Sequence, residues 1–240
     1  MRTIDASGMD FTALNELLRS SEGDVELDGC LGQRFIGAGM GQRKLRIHGV
    51  PGNALGAYLN GAEIEVFGNA QDAVGDTMNA GTILVHGSIG DTAGYAMRGG
   101  KIYVRDNAGY RAGIHMKEYR EHVPVIVIGG RVGSFLGEYQ AGGVIVVLGL
   151  HTDGRPIVSN FPCTGMHGGK LFLRSRCEDV LFPAQVTARP ATPADLREIE
   201  AYLKEYCALF SLQYEAVANG PFTVVTPDSA NPYTQMYVPN

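Results

Sequence analysis

Gly56-Ala57-Tyr58-Leu59, Gly75-Asp76-Thr77-Met78 and Gly94-Tyr95-Ala96-Met97 open three consecutive segments spaced 19 residues apart. Each runs on into a short alternating strand signal: Ile64-Glu65-Val66, Ile83-Leu84-Val85 and Ile102-Tyr103-Val104. Gly68, Gly87 and, as a substitute, Asp106 close these segments. Period-2 alternation bounded by glycine marks a strand and not a helix. The same spacing reaches back to Gly37 with Met40 and Leu45/Ile47, and forward to Gly113 with Met116.

Beyond Gly113 the register slips. Lys117-Glu118-Tyr119-Arg120-Glu121-His122 reads as a four-residue insertion, with Val125/Val127 as the next inward pair and one further residue added before Gly137. The unit resumes with Gln140, Ile145 and Val147. A longer insertion around His151 to Phe161 precedes a last unit at Met166-His167-Gly168-Gly169. With an early unit at Val25/Leu27, the series holds about seven to eight units.

One short strand cannot bury its own face, so successive units must stack into a continuous column. The expected fold is all-β: a single-stranded, right-handed parallel β-helix of about 7–8 coils with a repeat of about 19 residues. The left-handed alternative is set aside because hexapeptide repeats would give 18 residues for three sides. Inward ladders are expected at Ile64/Ile83/Ile102, at Val66/Val85/Val104 and at the Leu/Met position. The residue after that position (Asn60, Asn79, Arg98, Lys117, His167) is polar and faces out. Corner glycines are expected at Gly56, Gly68, Gly75, Gly87, Gly94 and Gly113, where positive φ or close stacking excludes a side chain.

The composition agrees. Of 240 residues 33 are glycine, and all but Gly8, Gly23 and Gly220 lie between Gly29 and Gly169. The flanks read as covers for the open ends. Residues 1–22 form an N-terminal cap with a short helix carrying Met9, Phe11, Leu14, Leu17 and Leu18. Residues 23–175 form the β-helix. Residues 176–240 hold a helix opening at Thr192-Pro193-Ala194-Asp195 and a wrapping tail from Pro227 to Asn240, all within a single unit.

Chemistry is hard to find. A net charge of −5 without basic runs argues against nucleic acid, and no apolar stretch approaches membrane-spanning length. Four scattered cysteines without a C-x-x-C pair suggest reduced thiols. Met1-Arg2-Thr3-Ile4-Asp5 opens a polar segment without an apolar leader core, so the expected compartment is cytoplasmic. Gly37-Ala38-Gly39-Met40-Gly41 leads into a strand, not a helix, which rejects dinucleotide binding. Glu63 and Glu65 face Thr82/Leu84 and Lys101/Tyr103 on the matching coils, so no acidic ladder of a polysaccharide-cleaving β-helix forms. His48 and His86 share a position held elsewhere by Phe67 and Arg105 and carry no catalytic signature.

Five blocks carry a family resemblance: Gly75–Gly81, Met97–Ile102, Gly109–Tyr119, Gly137–Gly143 and Gly165–Gly169. Together they resemble the GXGXG domain of the glutamate synthase large subunit, in the free-standing version found where that subunit is split into separate chains. A more distant likeness is to the C subunit of formylmethanofuran dehydrogenase. The resemblance implies a domain with no catalytic, cofactor-binding or metal-binding residues. It implies glutaminase-type and FMN-binding synthase-type partner subunits, with the FMN and the iron–sulfur cluster held by those partners. The expected function is a scaffold subunit in glutamate or nitrogen metabolism, within an oxidoreductase assembly. The alternatives are a self-sufficient β-helix enzyme, a carbohydrate-binding module, or a scaffold for N-methylglutamate synthase or formylmethanofuran dehydrogenase. The candidate partner-docking loop comprises Arg111, His115, Lys117, Glu118, Tyr119 and Arg120. Self-association through end faces or sides is a further expectation.

Overall fold

The computed structural model describes residues 1–230; the last ten residues of the expected wrapping tail lie outside that range. Nine parallel strands stack one per coil: β1 (Arg2–Asp5), β2 (Val25–Leu31), β3 (Lys44–Val50), β4 (Asn60–Phe67), β5 (Ala80–Val85), β6 (Lys101–Val104), β7 (Val125–Ile128), β8 (Ala141–Val147) and β9 (Gly168–Leu173). They wind a right-handed parallel β-helix of about eight turns. Two antiparallel strands, β11 (Thr223–Pro227) on β9 and then β10 (Val186–Pro190), extend the sheet to eleven strands. Three helices complete the chain: α1 (Phe11–Ser20), α2 (Pro193–Leu209) and α3 (Tyr214–Ala218). Among the described residues no helix is long and apolar enough to cross a membrane.

The pairing register reproduces the repeat. Leu45, Ile64, Ile83 and Ile102 face one another in turn, as do Ile47, Val66, Val85 and Val104. All eight are buried, with Leu59, Met78, Met97, Met116, Gln140 and Met166 in the third inward column. A further ladder, unforeseen from the repeat, is a line of single parallel bridges: Ala70, Ile89, Ala108, Val132 and Val158. One register differs from expectation. Ile126 and Ile128, not Val125 and Val127, continue the inward ladders, so the whole five-residue slip falls within one insertion. Val125-Ile126-Val127-Ile128 is buried on both faces, and a run apolar at every position carries no alternation to set its register.

The corner glycines act in two ways. Gly56, Gly75, Gly94 and Gly113 have φ of +64°, +69°, +66° and +71°. Each also points inward: a Cβ on Gly56 would lie 2.7 Å from Cδ1 of Ile83, and one on Gly75 2.5 Å from Cδ1 of Ile102. The isoleucine always belongs to the following coil. The last coil has no successor, and there Cys163 occupies the glycine's place, buried and at φ +61°. The residues two before and two after each glycine are left-handed as well, among them Ala54, Tyr58, Ala73, Thr77, Thr92 and Ala96. Left-handed φ alone therefore does not demand glycine in this arc; the inward packing does. Gly68 and Gly87 lack positive φ, and a Cβ there would lie 2.5 Å and 2.6 Å from the carbonyl oxygen of the preceding coil.

Side chains also tie coil to coil. Asn53 accepts from the Asp72 amide (3.2 Å), Asp72 from Asp91 (2.9 Å) and Asp91 from Tyr110 (2.8 Å). Asn69, Ser88 and Asn107 make the same step at another corner.

The ends and the flank are closed differently from expectation. β1 makes the N-terminal cap part of the stack, with Arg2↔Val25 and Ile4↔Leu27 in register. Asp10 caps α1 by accepting from the Thr12 and Ala13 amides, and Leu14 and Leu18 close the core. At the other end Cys177, Val186 and Val225 join that core. Helix α2 is not an end cap: Ile199, Leu203 and Tyr206 pack on the outer sheet face over Leu84, Tyr103, Val127, Val146 and Phe172. The outward column explains this. It is charged in the early coils (Glu26, Arg46, Glu65) and apolar from Leu84 onward, so only the later coils need a cover. Tyr103 donates to Glu205 (2.8 Å), and Tyr206 donates to the Arg105 carbonyl (3.2 Å). Burial pushes both phenols well above their usual range.

Thr192 and Asp195 form a capping box at the start of α2, and Arg189 holds the Asp195 carboxylate with two hydrogen bonds of 2.7 and 2.9 Å.

Two predictions follow from these contacts. Gly75→Ala should cost about 2–4 kcal/mol, from the left-handed φ and the overpacking against Ile102. Ile102→Val, which removes the struck Cδ1, should make the double variant less destabilised than the sum of the singles, as read by chemical denaturation. Arg189, then Thr192, hold the Asp195 carboxyl well below the usual carboxylate range. Its charged form therefore stabilises the fold fully above about pH 4–5, and that contribution fades as pH falls towards the depressed value. Asp195→Asn should lower stability by about 1 kcal/mol at neutral pH and flatten the acid limb of a melting-temperature profile.

Candidate functional site

The outward column one residue past the Leu/Met ladder is a regular line of polar groups: Asn60, Asn79, Arg98 and Lys117 on successive coils. Each backbone N–H is satisfied by the coil before it, as Asn79 N–H donates to the Leu59 carbonyl (2.9 Å) and Arg98 N–H to Met78 (2.8 Å). The side chains are left outside the sheet. Where the period breaks, the insertion after Lys117 folds into a two-residue hairpin. Tyr119 and His122 exchange both backbone hydrogen bonds at 3.0 Å, and Arg120 sits at its tip with φ +56°.

The hairpin is tethered on one side and closely approached on the other. Towards the C-terminal end, Glu118 Oε2 accepts from the Gly143 amide (3.1 Å), and a Cβ on Gly142 would lie 2.5 Å from the Glu118 nitrogen. Towards the N-terminal end, a Cβ on Gly99 would lie 3.2 Å from Cβ of His122. Pairs of small residues on the coils before and after thus make room for it. Its residues overhang the earlier coils and enclose a groove of about 610 Å³, reaching from Gly39 past Tyr58, Asn60 and Asn79 to Arg98.

The six residues of the expected docking loop divide between two places. Tyr119 and Arg120 line this groove, with Arg120 over the Tyr119 ring at 5.1 Å. Lys117 is exposed at its start, and Glu118 is the tether to Gly143. Arg111 and His115 lie on the glycine arc instead. There Arg111 pairs with Glu138 (3.1 Å) and covers Phe135 (4.8 Å), while His115 stacks on Tyr139 (5.1 Å). Glu121 and His122 of the same insertion line it too, and Asn60, Asn79 and Arg98, which the sequence marked only as an outward polar column, form its floor with Gly39, Tyr58 and Ala80. The polar column marks an exposed line but not what overhangs it.

A second ladder lies on the outer sheet face. Phe67 is stacked between His48 (4.7 Å) and His86 (5.1 Å), with Glu26 and Glu65 hydrogen-bonded to the two imidazoles at 2.9 and 3.0 Å. Lys44–Glu63 (2.9 Å) and Arg46–Glu65 (3.4 Å) pair across strands, so Glu63 and Glu65 are engaged by cations. The four cysteines are buried and unbridged, and desolvation raises the Cys30 thiol to about 11 and Cys163 to about 12. Such thiols are poor nucleophiles at neutral pH. Among the described residues no three His, Cys, Asp or Glu side chains are grouped to hold a metal ion.

The family model described as GXGXG motif matches residues 22–219. The chain is 39% identical over 251 aligned positions to an uncharacterized protein of Methanocaldococcus jannaschii, covering 99% of this chain and 96% of that one. Among solved structures, a chain of the formyltransferase/hydrolase complex (FhcABCD) from Methylorubrum extorquens, determined with methylofuran, superposes with a TM-score of 0.64. Its identity is 18%, and the match covers 95% of this chain and 91% of that chain. At that identity the likeness is one of fold.

The tether gives a prediction. Glu118→Ala should accelerate hydrogen exchange at the Gly143 amide by about tenfold, matching a loss of roughly 1.5 kcal/mol locally. The global melting temperature should change by no more than a few degrees.

Proposed function

The chain belongs to the GXGXG family, and we propose that it is a non-catalytic scaffold subunit of a glutamate synthase-like complex. The observation that carries this reading is the tethered hairpin. A rigid solenoid spends backbone and side-chain bonds on holding one irregular element at a fixed place, and that element presents Tyr119, Arg120 and His122 outward. A presented, pre-organised surface suits binding to a protein partner. The resemblance of the five sequence blocks supplies the kind of complex: glutaminase-type and FMN-binding synthase-type chains. In this reading the flavin and the iron–sulfur cluster sit in those partners. Among the described residues the buried cysteines are not grouped with two further ligand side chains. Their reduced state is compatible with a cytoplasmic assembly.

The structural relative from a formyltransferase/hydrolase complex favours a second reading, in which the chain scaffolds an assembly of that kind. One experiment separates the two. Tagged chain is purified from its native host, and co-purifying chains are identified by mass spectrometry. Amidotransferase-type and flavin-binding synthase-type chains are expected, and the chain purified alone should be colourless and inactive with glutamine. Recovery of formyltransferase-type chains would replace the first reading with the second. Glutamine turnover by the isolated chain would overturn both.

A further inference from the structure

The groove beneath the hairpin has a chemistry of its own. Among the described residues half of the cations outside the groove carry an ion pair, among them Lys44 with Glu63, Arg46 with Glu65, Lys101 with Glu205, Arg105 with Asp106, Lys170 with Glu198 and Arg189 with Asp195. Neither arginine of the groove has such a partner. Among the described residues the Arg98 guanidinium makes no hydrogen bond or ion pair, and Arg120 has only the Tyr119 ring. The amide groups of Asn60 and Asn79 are likewise without side-chain hydrogen bonds. The one carboxylate on the wall, Glu121, is exposed and 3.8 Å from His122.

The groove's length follows from its coils. From the unit of Gly39 to the hairpin unit there are four coil steps of about 4.8 Å, or about 19 Å in all. An extended peptide advances about 3.3 Å per residue, so roughly six residues fit that span. Guanidinium forks take carboxylates with two parallel hydrogen bonds, and asparagine amides both donate to and accept from a peptide backbone. A free small carboxylate would engage only the Arg98–Arg120 end and leave the Asn60–Asn79 stretch unused. We infer that this groove is the docking track for an extended, carboxylate-bearing segment of a partner chain, with Arg98 and Arg120 as its anion clamp and the asparagine column as its backbone reader. The inference rests on the scaffold reading and names the chemistry of its contact. A phosphodiester strand carries a charge on every unit, whereas the groove offers arginines at one end only, Arg98 and Arg120, and uncharged Asn60 and Asn79 along the rest.

The test uses the full chain and fluorescein-labelled hexapeptides of alternating Glu and Ser, Gln and Ser, or Lys and Ser, read by fluorescence anisotropy. The Glu peptide should bind at least tenfold tighter than the Gln peptide, and the Lys peptide should not bind. Binding should weaken at least fivefold between 0.05 and 0.5 M salt. The double variant Arg98→Glu, Arg120→Glu should lose the preference for Glu. Both side chains are exposed, so its melting temperature should match wild type. If that variant fails to fold, Asn79→Asp reads the same repulsion at mid-groove. Equal binding of Glu and Gln peptides, an unchanged preference in the variants, or tighter binding of a six-nucleotide single strand would each overturn the inference. Free succinate at millimolar concentration should compete poorly; competition equal to that of the Glu peptide would overturn the track in favour of a small-anion site. A last arm separates this inference from the reading beneath it. If wild type recovers catalytic partners and the double variant recovers them equally, the groove inference fails and the scaffold stands. If wild type recovers none, the scaffold reading itself fails.

Discussion

Everything in this molecule answers to the spacing of about 4.8 Å between stacked coils. At that distance a side chain that points along the stack has nowhere to go except into its neighbour. The repeat meets the constraint with paired choices: glycine on one coil and the Cδ1 of isoleucine on the next, as at Gly56 with Ile83 and Gly75 with Ile102. The glycine is a receptacle for the next coil's side chain as much as a hinge for its own. The neighbouring left-handed positions bear this out, since Tyr58 adopts a similar φ with an exposed side chain. Cys163 is the complementary case, a side chain admitted only where no further coil follows.

The same spacing makes polar ladders possible. Asn53, Asp72 and Asp91 each accept the amide of the coil ahead, so corner backbone groups that would otherwise meet only water are tied one step on. The outer face needs a different solution in each half. Charged early coils pair across strands, while the later coils, apolar from Leu84 to Phe172, require α2. The long helix is thus attached by a change in one outward column, and Tyr206 seats it by hydrogen bonding to the Arg105 carbonyl next to Gly129. The hairpin and the helix stand on the same rigid frame, which is the property a scaffold needs.

Much of this was legible in the sequence because stacking makes identity periodic. The inward ladders, the Leu/Met column and the capped helix after Thr192 all appear in register as read. The failures have local physical reasons. Val125–Ile128 is apolar at every position, so its register was ambiguous by one residue. β1 hid because one buried residue, Ile4, is too little for an alternation. The placement of α2 on the flank required comparing outward positions between coils, where Glu65 gives way to Leu84 and Tyr103. The groove was half visible: the polar column could be read, but its roof depends on how the insertion folds back. No periodicity encodes that fold-back, which the small residues at Gly99 and Gly142 permit.

The substitution of Cys163 for the arc glycine carries a consequence for how such a chain could change. Between Gly37 and Gly113 each strand pairs only with its neighbours, and the glycine–isoleucine contact repeats at every junction. A whole coil gained or lost there would leave the glycine–isoleucine contact complete at both new junctions. The terminal coil differs, because adding another after it would drive a new isoleucine into a sulfur. Length in this molecule is therefore counted in integers from one end only. Two surfaces on opposite sides of the variable stretch can move apart in fixed steps of one coil, which makes the solenoid a ruler whose divisions are set by the peptide backbone.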